Sequence, residues 1–211
     1  PAPEPEASSG GLPFDVAVEA LTLQGGRFSY RDSRAGLALT LADITVDVAA
    51  FRLSAPSGRL QLEIGSGVVE SPVFTGPVDR LYADATLDAE RPAPVVLELA
   101  AGGTRIDLKG TVAGPGANPI LDLILDAELA LDELKHILQL APEMSGRATL
   151  HATARGPLSD PEASVGLAYH GGPLGGVAVD RIRLALTLAD RSVRIDPLQA
   201  ASALGTLAAD G

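Results

Sequence analysis

The heptapeptide LALTLAD stands at Leu37–Asp43 and again, letter for letter, at Leu184–Asp190. A third stretch, VDRLYADATLD (Val78–Asp88), aligns with Val179–Ala189 and keeps Val, Asp, Arg, Thr and Leu in register. In all three, apolar residues fall on every second position: Leu37, Leu39, Leu41; Leu81, Ala83, Ala85, Leu87; Ile182, Leu184, Leu186, Leu188. A period of two puts these side chains on one face of a strand and their neighbours on the other. One strand type recurring along the chain predicts a stacked, quasi-one-dimensional β architecture.

Outward from these repeats, strand-like runs alternate with turn signals. FDVAVEALTL, Gly25–Gly26 and RFSYRD read as a hairpin by the Gly-Gly rule. In LALTLADITVDVAAFRL the apolar phase moves from odd (Leu37, Leu39, Leu41) to even (Ile44, Val46, Val48), which predicts a bulge or tight turn near Asp43. PVVLELAAGGTRIDLKGTV reads as another hairpin, closing at Gly102–Gly103, and PILDLILDAELAL follows the turn at GPGANP. One segment departs from the alternation. LDELKHILQL (Leu131–Leu140) spaces Leu131, Leu134, Ile137 and Leu138 by three and four, with Asp132 placed as N-cap and Pro142 beyond, so a short helix is expected over 131–140. Strand signals then resume to the end. About a dozen strands are expected against that one helix.

Residues 1–11, PAPEPEASSGG, have nothing to bury and read as a flexible linker; 12–211 carry the β segment. Within 211 residues the net charge is −11 and only Lys109 and Lys135 are lysines. This balance argues against nucleic acid as a partner and disfavours peripheral binding to anionic membranes. Cysteine is absent, so disulfides are excluded. No run approaches the ~18–20 apolar residues of a membrane-spanning helix. The chain begins with Pro1 instead of Met, which reads as a piece of a longer protein.

A search for reactive constellations favours no enzyme. Nucleophile elbow, P-loop, zinc-protease and dinucleotide motifs are missing. The Gly-rich stretches GSGVVE (Gly65–Glu70) and GGPLGG (Gly171–Gly176) read as turns. His136, His151 and His170 fall on the helix, a strand and a loop, so neither a metal nor a cofactor is expected. Asp122, Asp126, Glu128, Asp132 and Glu133 lack calcium-loop spacing. The first three alternate with Leu121, Leu123, Leu125, Ala127 and Leu129 and should face water. His151 shares a face with Arg147, Thr149, Thr153 and Arg155, as a solvated face would. What remains is the apolar stripe, which suits either an ordinary core or an open aliphatic trough.

The stretch LTLQGGRFSYRDSRAGLALTLADITVDV resembles the AsmA-type pattern of strand, Gly turn, aromatic strand and L-x-L-x-L-x-D. ELALDELKHILQLAPEMSGRATLHATARGPLSDPEASVGL is closer still to the repeat of TamB-like proteins, with Ser145, Gly146, Leu150, Gly156, Leu158 and Pro161 as its anchors. The resemblance covers most of 12–211 and is specific to the AsmA/TamB superfamily, not to a member. It implies an elongated antiparallel sheet curled into a half-open groove, the β-taco, with an aliphatic concave side. It further implies a periplasmic bridge, anchored to the inner membrane through a segment outside this stretch, that carries phospholipid acyl chains between the two membranes. An outer-membrane Omp85-type protein is the implied partner, again through other parts of the chain. The groove would be lined by Leu37, Leu39, Leu41, Ile44, Val46, Val48, Leu81, Leu87, Leu97, Leu99, Leu121, Leu123, Leu125, Leu150, Leu167, Ile182, Leu184, Leu186 and Leu188. The alternative is a structural or interaction module of an outer-membrane protein assembly machinery, the same strands closing on a dry core.

Overall fold

The computed structural model describes residues 17–52, 57–71, 75–88, 91–114, 118–134, 145–174, 177–189, 192–196, 198–202 and 205–209. Their strands are β1 (Ala17–Asp32), β2 (Leu37–Arg52), β3 (Ser57–Glu70), β4 (Thr75–Val78), β5 (Arg80–Leu87), β6 (Ala93–Ala101), β7 (Thr104–Ala113) and β8 (Ile120–Ala130). A four-residue helix, α1 (Leu131–Leu134), precedes β9 (Arg147–Pro157), β10 (Glu162–Leu174), β11 (Val177–Ala189), β12 (Ser192–Ile195), β13 (Leu198–Ser202) and β14 (Gly205–Ala209). All join one antiparallel sheet in the order β1-β2-β3-β5-β6-β7-β8-β9-β10-β11-β13-β14, with β4 beside β3 and β12 beside β11. Apart from the short strands β4 and β12, which sit beside β3 and β11, this is a meander in which each strand pairs with the next along the chain. Local pairing needs only short connections, which the turn residues between the alternating runs supply.

The sheet is open, not closed into a barrel, and curls into a half-open groove. With strands ~4.8 Å apart, the hydrogen-bonded path from β1 to β14 runs roughly 50 Å. Strands make up 85% of the described residues, and among these no layer of helices covers either face. The consequence for packing is a very thin core. Among the described residues no side chain is fully buried, and the buried apolar set is Ile64, Ala93, Ala127, Leu131, Ala148 and Tyr169.

The expected bulge near Asp43 is present, and it extends into neighbouring strands. Asp43 has φ 54°, and Gly26 and Phe28 of β1 oppose Ile44 and Leu41 of β2, two residues against three. The extra residue keeps Leu37, Leu39 and Leu41 on the same face as Ile44, Val46 and Val48 although the count changes parity. Gly65 lies beside Asp43 on β3, where a Cβ would stand 3.0 Å from the aspartate Cβ. On the far side, Asp79 interrupts β4 and β5 between Val78, opposite Gly67, and Leu81, opposite Ile64. One phase change thus crosses the sheet from β1 to β5.

Two expectations are corrected. Gly25–Gly26 is no hairpin: Gly25 (φ 63°) makes a bulge inside the continuous strand β1, since Leu23 and Gly26 oppose Val46 and Ile44. The chain reverses instead at 33–36, where the Asp32 carboxylate accepts the backbone N–H groups of Arg34 (2.9 Å) and Ala35 (3.2 Å) and Gly36 takes φ 64°. Second, Gly65–Glu70 is strand β3 and not a turn, its glycines making room for β2. Gly171–Leu174 likewise continues β10, with positions 175–176 outside the described residues. Of the helix expected over 131–140, Leu131–Leu134 is helical as expected and the remainder lies outside the described residues. The linker at 1–11 and His136 lie outside them too. The hairpin at Gly102–Gly103 is as expected, with Ala101 opposite Thr104.

Candidate functional site

In an antiparallel pair, directly opposed residues project to the same face, so the register identifies the rows of side chains that cross the sheet. One row runs Ile44–Ile64–Leu81–Leu99–Ile106–Ala127–Leu150–Leu167–Leu184. Two positions along each strand lies a second: Val46–Leu62–Ala83–Leu97–Leu108–Leu125–Ala152–Val165–Leu186. A third joins Val48 and Leu60 through Ala85 and Val95 to Gly110, Leu123, Ala154, Ala163 and Leu188. Three parallel rows, ~7 Å apart along the strands, carry no polar side chain over nine strands.

Every residue expected to line the groove falls on this face. Leu87 opposes Gly58, Leu121 opposes Val112, and Ile182 opposes Tyr169, extending the rows at either margin. Sequence reasoning omitted members of the same face: Leu21, Leu23, Leu60, Leu62, Ile64, Ile106, Leu108 and Val165. The signal was there in GRLQLEIG and TRIDLKG, which alternate as strictly as LALTLAD.

Exposure distinguishes the middle of this face from its ends. In the middle the side chains are half-buried, each shielded by its row neighbours and the curl. At the β1 edge Leu21 is 54% exposed and Leu23, Phe28 and Tyr30 each 47%. At the opposite edge Val193 is 66%, Ile195 49% and Leu207 61% exposed. Val193 and Ile195 oppose Leu188 and Leu186, and Leu207 is linked through Ala200 to Ile182, so these too belong to the aliphatic face. Among the described residues the face therefore runs uncovered to both edges of the sheet.

One margin is plugged. Leu131, at the start of α1, packs on Ala148 and Tyr169, with Leu129, Leu167, Val179 and Ile182 around them. α1 is held there by Leu131 N–H donating to the Gly146 carbonyl (3.1 Å) and by the Glu133 carboxylate accepting Gly103 N–H (3.0 Å). The Tyr169 hydroxyl donates to the Ser145 carbonyl (2.7 Å). Burial pushes the Tyr169 phenol above its ordinary value, and the nearby Asp132 carboxylate adds to the shift.

The other face is polar and carries the charges. Arg59 pairs with Asp84, to which the Tyr82 hydroxyl also donates (3.1 Å). The Arg59 guanidinium holds the Asp84 carboxyl below its ordinary value. Asp122 binds Arg155 (3.1 Å) and Asp126 binds His151 (2.6 Å), so both carboxylates and His151 occupy the solvated face expected of them. A hollow of about 570 Å3 lies on this face, bordered by Asp126, Glu128, Thr149, His151, Arg183 and Gln199. Asp126 and His151 are 54% and 60% exposed, so water reaches both.

Fold and site define a class: a single-layer antiparallel sheet, polar on one face and continuously aliphatic on the other, open at both edges. No family model matches the chain, and neither a curated protein nor a solved structure does.

Proposed function

We propose that the chain is a lipid-transport module whose aliphatic groove carries phospholipid acyl chains. The observation that supports this is the three-row aliphatic face, uncovered by any second layer among the described residues and open at both edges. Hydrocarbon laid on such a surface gains ~0.8 kcal/mol for each fully buried methylene, with no directional bond to fix its position. Rows of Leu, Ile, Val and Ala repeat from strand to strand, so displacement along the groove exchanges equivalent contacts. A site for one specific ligand would set a few convergent polar groups into the apolar wall. None projects from these rows.

In this reading the protein works in the periplasm, within a longer chain anchored to the inner membrane, and supports the outer membrane. The dry-core alternative needs a partner layer over the same rows. Among the described residues no strand pairs the outer edge of β1, which favours one version of it, a platform that receives a partner strand by β-augmentation. Lipid extraction and mass spectrometry on the chain purified in mild detergent from the periplasm of a diderm bacterium separate the two. Co-purifying phospholipid, reduced by Leu186→Arg, is the expected result. A lipid-free, detergent-indifferent protein refutes the groove.

A further inference from the structure

On the polar face, basic residues oppose one another on three successive strands. Arg147 of β9 faces His170 of β10, and His170 faces Arg181 of β11. Arg183 follows Arg181 two positions along the same strand and projects to the same side. The guanidinium groups of Arg181 and Arg183, two positions apart on one side of a strand, repel each other as like charges do. Here, among the described residues, no ion pair relieves Arg147, Arg181 or Arg183. Arg59, Arg80, Arg155 and Arg194, by contrast, each stand within reach of a carboxylate. In a protein of net charge −11, unpaired cations gathered at one place are an arrangement that a bound anion would relieve.

The sheet register supplies a place for that anion. Arg183 opposes Gln199 of β13, while Arg181 opposes Ala201, which in turn opposes Thr206 of β14. These polar side chains border a hollow of about 230 Å3 together with Ala200, Ala201, Leu207 and Ala208, and among the described residues no carboxylate lines it. Two guanidinium groups, an amide and a hydroxyl thus stand at its border as possible donors. Guanidinium forks match the oxygen spacing of phosphate, and the small alanines leave room for it to approach. The larger neighbouring hollow shares Arg183 and Gln199 but is bordered by Asp126 and Glu128, which repel an anion.

We infer that the hollow between Arg181, Arg183, Gln199 and Thr206 is an oxyanion site that takes a phosphate ester. The phosphate belongs either to a soluble metabolite or to a lipid headgroup. The site lies on the face opposite the groove, so it stands or falls independently of acyl-chain transport.

The test uses the whole chain. Inorganic phosphate is titrated while the amide resonances of β11, β13 and β14 are followed. In parallel, the chain is sedimented with phosphatidylcholine vesicles with and without phosphatidylglycerol. Saturable shifts confined to those strands, weakened at least tenfold in Arg181→Gln/Arg183→Gln and unchanged in Arg105→Gln, are expected for a soluble source. Binding to the phosphatidylglycerol vesicles alone, lost in the same double variant, identifies a headgroup. Circular dichroism verifies that the double variant keeps its sheet, and Leu186→Arg, on the opposite face, leaves phosphate binding intact. Absence of both signals, or signals undiminished in the double variant, overturns the inference.

Discussion

Substituting Leu186 by Arg tests the groove most directly. Leu186 sits in the second aliphatic row, between Val165 on β10 and Ile195 on β12, in the part of the face that no second layer covers. An acyl chain crossing the strands spends roughly four methylenes on each ~4.8 Å strand spacing. The arginine head displaces hydrocarbon from its own strand and from part of each neighbour, some six methylenes that are each half-buried. At ~0.8 kcal/mol per fully buried methylene this amounts to ~2–3 kcal/mol of lost lipid affinity. That corresponds to a decrease of roughly 30- to 150-fold in retained lipid. The fold should lose much less, because the guanidinium remains solvated in an open trough, and exposed substitutions cost about 0.5 kcal/mol. The assay pairs lipid content by mass spectrometry with the urea midpoint of the delipidated protein. Arg183→Leu, on the polar face, should leave lipid content near wild type. Were Leu186→Arg to unfold the protein by the ~3–5 kcal/mol that an uncompensated buried charge costs, the face would be a closed core and the groove argument wrong.

Other consequences concern stability. Tyr169→Phe removes the bond to the Ser145 carbonyl and should cost about 1 kcal/mol in urea unfolding. The Tyr169 phenol is raised, so the stability linked to it is present below pH ~10 and lost as pH climbs through the folded value; thermal scans from pH 8 to 11 should show that decline in wild type and less of it in Tyr169→Phe. Asp84 is depressed, so its contribution is present above pH ~4 and disappears below it. An Arg59→Gln variant should flatten that acid limb, and an unaltered limb would show that the pair is irrelevant. Gly110 holds φ 153°, and a Cβ there would stand 2.0 Å from the Asp122 carbonyl oxygen, so Gly110→Ala should destabilise the β7–β8 pairing by about 1–3 kcal/mol. Hydrogen exchange localised to those two strands would report it.

Much of the architecture was legible because alternation is a local property. LALTLAD and its relatives place apolar groups on one face wherever the backbone is extended, whatever packs around them, and the odd-to-even change at Asp43 betrayed the bulge. Glycine was harder to read. Gly25–Gly26 and Gly102–Gly103 are the same dipeptide with opposite outcomes, one a bulge inside β1 and one a hairpin turn. The difference lies in which neighbour each flanking run pairs with. β1 pairs along its length with β2, whose reversal is set by Asp32 and Gly36.

By itself, then, the sequence determined the strand-rich character of the chain and the two faces of the sheet, since both follow from short-range periodicity, while the strand order came from the structure. Only the tertiary structure decided that the aliphatic rows align from β2 to β11 and stay uncovered to both edges, and that Leu131 plugs one margin. It alone brought Arg181, Arg183, Gln199 and Thr206 around one hollow. Those outcomes depend on register, which ties residues far apart in the chain to a common row through hydrogen bonds that no local pattern encodes.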